Sequence, residues 1–115
     1  MNTPEHMTIT LTGRAPVRID KNLWPCIASA KDWDNTIESQ ANRKWRIIVR
    51  RHADGRALVY GWFTSAYEGE RNRSGGELVA AGGDIPEAIK RVADSLGFDP
   101  LLAQYCIADL EPEEI

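Results

Sequence analysis

Apolar and polar residues alternate most cleanly near the start and in the middle of this chain, and both stretches read as strands. Met7-Thr8-Ile9-Thr10-Leu11-Thr12 is rich in β-branched residues and puts Met7, Ile9 and Leu11 on one face, with Gly13 ending the run. Between 45 and 63 stand two β-rich runs, WRIIVRRH and ALVYGWF, joined through Ala53-Asp54-Gly55-Arg56. Asp-Gly is the dipeptide favoured by a two-residue type I′ turn, whose central residues both need positive φ. A hairpin closed that way pairs Arg51 with Leu58, Val49 with Tyr60 and Ile47 with Trp62. It leaves Arg46, Ile48, Arg50 and His52 on the opposite face, across from Phe63, Gly61, Val59 and Ala57. The first face is the one expected to meet a helix, which places Tyr60 and Trp62 in the core. A further strand is expected over 77–81, reached through a mobile Gly/Ser-punctuated connection over 65–76 and closed by Gly82-Gly83.

Helical spacing is strongest after residue 84. Asp84 suits an N-cap, Pro86 the first turn, and Glu87 follows the cap by three positions. Ile85, Ala88, Ile89, Val92, Ala93 and Leu96 then recur at i, i+3, i+4 and i+7, and Gly97 can close the helix. Asp99-Pro100 opens a second short helix with Leu101, Leu102 and Tyr105. Earlier in the chain, 16–19 reads as a short extended piece. Asp20-Lys21-Asn22 offers capping groups for a short helix with Pro25 in its first turn, running to about Ala30. Residues 31–42 read as loop.

The order β, short α, β, β, β, α, α predicts an α+β fold, an antiparallel sheet of about four strands with one main C-terminal helix packed on one face as a two-layer sandwich. A single domain over 1–115 is expected, with 1–6 and the acidic end 111–115 frayed.

A composition of 43% hydrophobic and 27% charged residues supports a folded globule rather than disorder. No apolar run nears the ~18 residues of a membrane span, and the first residues have neither a basic nor an apolar leader pattern, so a cytoplasmic location with no membrane partner is expected. Cys26 and Cys106 sit among apolar neighbours and read as buried thiols rather than a disulfide. With His6 and His52 they match no zinc-site spacing, so neither metal nor other cofactor is expected.

Asp32 and Asp34 flank Trp33 and invite an acid–base reading, but nothing in the sequence buries them or supplies a partner that would shift a pKa. No G-x-S-x-G is present, and the glycines at 69, 75, 76, 82 and 83 lack phosphate-loop spacing. Asp84 would moreover repel a phosphate at the following helix start. A non-enzymatic protein is expected on these grounds.

Charge is distributed unevenly. Within 43–73, eight cations stand against Asp54, Glu68 and Glu70, a net +5 in a chain of net −3. The expected binding residues are Arg43, Lys44, Arg46, Arg50, His52, Arg56, Tyr67, Arg71 and Arg73. Trp, Tyr and Arg dominate protein-interface hot spots, so a protein partner is the first expectation, with homodimerisation left open. A nucleic-acid-binding module is the alternative, using the basic hairpin over 43–56 for phosphates and Tyr60, Trp62 or Tyr67 to stack on bases, although the hairpin pairing expects Tyr60 and Trp62 in the core.

The segment GGDIPEAIKRVADSLG, preceded by strands, resembles the end of an HicB-type antitoxin domain, whose strands lead into a G-D-T-x-x-E-A helix; Ile85 stands where that pattern has Thr. RIDKNLWPCIASA and QANRKWRIIVRRHADGRALVYGW are similar to small uncharacterised bacterial proteins of phage-like and integrative elements. That likeness implies an accessory protein of a mobile element and transfers no site residue.

Overall fold

Consecutive strands pair with one another, and that order generates the main sheet. The computed structural model describes residues 3–110. Strands β1 (His6–Ile9) and β2 (Val17–Asp20) form a two-stranded ribbon. Strands β3 (Cys26–Trp33), β4 (Arg43–Arg51), β5 (Ala57–Ser65) and β6 (Arg73–Val79) form an antiparallel meander in that spatial order, followed by α1 (Ile85–Ser95) and α2 (Pro100–Asp109). The fold is α+β: α1 lies against β5 and β6, and α2 against β3 and β4.

The central hairpin turns at Asp54-Gly55, but by a different turn from the one the dipeptide suggests. Gly55 has φ of 95°, and no non-glycine residue among those described has positive φ, so Asp54 does not. The Gly55 N–H donates to the His52 carbonyl and the His52 N–H to that of Arg56. These bonds define a three-residue loop, a type I turn followed by a left-handed glycine. The extra loop residue shifts the pairing by one. Arg50 stands opposite Leu58, Ile48 opposite Tyr60 and Arg46 opposite Trp62, in place of the expected Arg51–Leu58, Val49–Tyr60 and Ile47–Trp62 pairs. Since side chains alternate, the slip exchanges the faces of every β5 residue relative to β4. Val59, Gly61 and Phe63 share the face of Ile47 and Val49, while Tyr60 and Trp62 lie on the other.

Each face therefore carries its own core. On the helix side Ile47, Val49 and Val59 pack against Ala88, Ile89, Val92 and Leu96. Asp84 accepts the Glu87 N–H at 3.1 Å, and the bonds Phe98 N–H to Ala93 O and Gly97 N–H to Asp94 O close α1 around Gly97, whose φ is 70°. The helix end sits so close to the sheet that a Cβ on Gly61 would lie 3.3 Å from both Leu96 and Phe98. On the other face Ile9, Leu11, Ile19 and Trp24 close over Ile48, Leu58 and Tyr60.

The main misreading of the sequence lies at 25–30, where a strand replaces the expected short helix. Asp20 does cap, but what it closes is a turn: its carbonyl accepts from Leu23 and Trp24, and its carboxylate from Asn22. The Pro25 carbonyl then accepts the Arg51 N–H, which starts β3 alongside β4. Sheet hydrogen bonds and the packing of Ala28 outweigh a marginal local helix signal. Strand β3 extends to Trp33, shortening the expected loop, and β6 begins at Arg73 and ends at Val79, displacing the strand expected over 77–81 and leaving a shorter connection than 65–76. Cys106 is buried as expected, but Cys26, at the bulge between Cys26 and Ala28, is exposed. Of the ends expected to fray, 1–2 and 111–115 lie outside the described residues, while the Glu5 carbonyl accepts the Lys21 N–H at 2.8 Å.

Both sheet edges are partly covered. On β3 the Ser29 N–H donates to Asp109 of α2 at 2.9 Å. On β6 Gly76 exchanges two bonds with Thr12: Thr12 N–H to Gly76 O at 2.9 Å and Gly76 N–H to Thr12 Oγ1 at 3.2 Å. These contacts blunt edges that would otherwise recruit a foreign strand.

Candidate functional site

The ribbon strands are four residues long and the strands beneath them, β4 and β5, nine, so the ribbon covers only part of the face. Beyond Ile48 and Tyr60 the register places Lys31 beside Arg46, Arg46 beside Trp62 and Trp62 beside Ser74. In the next row Trp33 stands beside Lys44 and Lys44 beside Thr64. None of these positions is acidic. Trp33, Lys44, Arg46 and Trp62 are partly exposed and Lys31 is exposed.

Cations and rings are already matched on this half-face. The Lys31 ammonium lies 5.6 Å from the Trp33 ring centre, and the Arg46 guanidinium 5.8 Å from that of Trp62. Such cation–π contacts orient the rings without neutralising the charges. Arg46 Nε is buried and has no hydrogen-bond partner among the described residues. Trp62 also stacks on Tyr60, with ring centres 6.3 Å apart, which anchors it at the ribbon boundary.

The residues expected to form one binding surface divide into three groups. Lys44 and Arg46 belong to the open half-face. Arg50, His52 and Arg56 gather around Trp24 at the hairpin turn: Arg50 donates to the Tyr60 hydroxyl at 2.8 Å and the Trp24 carbonyl at 3.0 Å, while His52 and Arg56 lie 5.0 Å and 5.2 Å from the Trp24 ring centre. Arg56 also pairs with Asp54 at 2.8 Å. The Arg56 N–H, then its side chain, hold the Asp54 carboxyl below its ordinary pKa. These three side chains fasten the turn to the ribbon layer.

The third group, Arg43, Tyr67, Arg71 and Arg73, lies at the same end of the sheet but on the helix side. Arg43 makes a two-pronged ion pair with Glu70 at 3.0 Å and lies over Tyr67 at 4.5 Å. Glu70 also accepts from the Ser65 hydroxyl, and Arg43 and Ser65 together lower its pKa. Arg73 lies over Phe63 at 4.6 Å. A shallow cleft of about 480 Å³ is lined there by Trp45, Phe63, Arg71, Arg73 and Gly97 together with the Arg43–Glu70 pair.

Lys31 and Trp33 are not among the site residues the sequence suggests, because their place in a strand depends on pairing with β4. Trp62, a stacking candidate in the nucleic-acid alternative but expected in the core by the two-residue turn, lies beside Arg46 on this half-face.

Elsewhere the chemistry is sparse. A hollow of about 670 Å³ at the opposite end is lined by Cys26, Arg51, Asp84 and Leu110, with the Asp84 carboxylate engaged in capping α1. Burial pushes the Cys106 thiol up to about 12, so it stays protonated at neutral pH. Asp34 accepts the Asn42 N–H at 2.7 Å, and Asp32 lies on the helix side beside Trp45. Among the described residues no three or more His, Cys, Asp and Glu side chains converge to hold a metal, and no helix is long and apolar enough to cross a membrane. Comparison with family models, curated proteins and solved structures finds no match for this chain.

Proposed function

We propose that this protein is a non-enzymatic binding domain that takes single-stranded nucleic acid on the open half of its sheet. One observation carries the reading: Trp33 and Trp62 stand on the two strands flanking Lys44 and Arg46, on a half-face without an acidic side chain. Two strand spacings sideways and two residues along put the Trp33 and Trp62 positions ~12 Å apart. Bases stacked within a duplex have no free face for a ring, so bases occupying both rings must belong to an opened strand, with its phosphates passing over the cations between them. Base–aromatic stacking is indifferent to sequence, because every base has a flat face. A duplex hides those faces and has less to offer this surface.

Fluorescence anisotropy with oligothymidylate and with duplex DNA over a range of salt concentrations tests the reading. Single strands should bind more tightly than duplex, with a log–log salt slope of about −2 if Lys31, Lys44 and Arg46 each meet a phosphate. Trp33→Ala and Trp62→Ala should each cost roughly 1–3 kcal/mol. Equal affinity for duplex and single strand, or unchanged binding by both tryptophan variants, would sink it.

The reading expected first from the sequence, a protein partner, is favoured by a different place. On α2, Leu101 and Tyr105 are one turn apart and 51% and 63% exposed, an apolar stripe that the fold leaves uncovered. Loss of a co-purifying protein in L101E/Y105E, with oligonucleotide binding intact, would support that reading. The resemblance to bacterial proteins of mobile elements suits either partner.

A further inference from the structure

The open half-face ends at β6, and the edge there is bare. Gly76 points its N–H and carbonyl away from β5, to Thr12, so Ser74, two residues back along the strand, points its own outward as well. Thr12 crosses at Gly76 and leaves Ser74 uncovered. The preceding residue, Arg73, projects to the helix side, because successive side chains alternate across the sheet. Ser74 thus lies beside Trp62 on one face, while Arg73 lies beside Phe63 on the other.

Several features shape the far side of this edge. Arg71 and Arg73 are both exposed, and neither is in an ion pair among the described residues, whereas Arg43 is held by Glu70. Arg73 is flanked on two sides, by the Phe63 ring and by Gly97 at the end of α1. A Cβ on Gly97 would come within 3.3 Å of its Nη1, so the glycine that closes the helix also makes room for the guanidinium. The carbonyl end of a helix carries partial negative charge and favours a cation there.

We infer that the strand bound over Trp33 and Trp62 continues round the β6 edge at Ser74 into the cleft lined by Phe63, Arg71 and Arg73, where the one carboxylate, Glu70, is neutralised by Arg43, and that this cleft serves as a second subsite for its phosphate backbone. The inference rests on the single-strand reading above and adds to it a path and a length. The outward N–H of Ser74 donates to the strand as it crosses the edge, and the two arginines receive phosphates beyond it. The tryptophan half-face alone suffices for a short oligomer, and only a longer one reaches the cleft.

The test compares oligothymidylates of roughly four and roughly twelve nucleotides on the full chain. The double variant R71E/R73E should weaken the longer oligomer about tenfold or more and make its salt slope shallower by about 1.4, two contacts at about 0.7 each, while leaving the shorter one unchanged. R71E alone, in the exposed connection away from the Phe63 contact, should give about half the slope change and guards against a folding defect. Equal loss for both lengths, or no loss for either, overturns the path round the edge while leaving the tryptophan half-face standing. If Trp33→Ala and Trp62→Ala leave both oligomers bound as before, the single-strand reading fails and the path falls with it. Full competition of the longer oligomer by polyglutamate at equal charge would assign both faces to an acidic protein instead, and would likewise overturn it.

Discussion

Gly55 shows how much one residue decides. Its φ of 95° closes the three-residue loop, and that loop sets a register placing Trp62 beside Arg46 instead of beside Ile47. An alanine there must adopt a left-handed backbone and bring its Cβ to 3.2 Å from that of Ala81. Gly55→Ala is expected to lower stability by about 1–2 kcal/mol, measured by urea unfolding. Asp54 cannot share the role at the same cost, since its own φ is negative and its carboxylate instead accepts from the backbone of Arg56 at 3.0 Å. At this scale the sequence was half legible: it located the turn but not its type, because Asp-Gly serves both two-residue and three-residue loops.

Among the elements, the connection between β5 and β6 has the clearest electrostatic lock. Glu70 bonds Arg43 on β4 and Ser65 at the end of β5, and both hold its pKa below the ordinary glutamate range. A carboxylate with a depressed folded pKa contributes stability that is complete above its unfolded value and is lost as pH falls through the folded one. Acidification through and below the ordinary glutamate range should therefore loosen residues 66–72 before the sheet unfolds. Glu70→Gln should already be loosened at neutral pH and lose this acid dependence. Amide exchange of that segment against pH reads the effect, which is small because the group is solvent-screened. Helix α1 was legible in full, from Asp84 to Gly97, because capping and i, i+4 spacing are local. Strand β3 was not, because its evidence consists of partners on β4 and α2.

For the whole molecule, one sheet holds two cores and leaves one end bare. β4 and β5 are bonded on both sides, with Ile47, Val49 and Val59 fully buried beneath the helices and Leu58 beneath the ribbon. Hydrogen exchange should be slowest in these strands and fast at Lys31, Trp33 and Ser74, whose amides point outward past the contacts of Asp109 and Thr12. Slow exchange at those three amides would mean that the end of the sheet is covered in solution, which would remove the basis for a binding surface there. The proposed site is thus a property of unequal lengths: a four-residue ribbon cannot cover nine-residue strands.

By itself the sequence determined the α+β class, the position of the central hairpin, both helix caps and the inward stripe of α1, because each depends on neighbours within a few positions along the chain. It also placed basic residues and aromatics in one stretch. Tertiary structure alone decided which of them meet. Pairing register, the partner of β3 and the reach of the ribbon are long-range contacts, and a one-residue difference in any strand pairing sends a side chain to the opposite face. That is why Arg50 and Arg56 became fastenings around Trp24, while Lys31, Trp33 and Trp62 became the exposed surface.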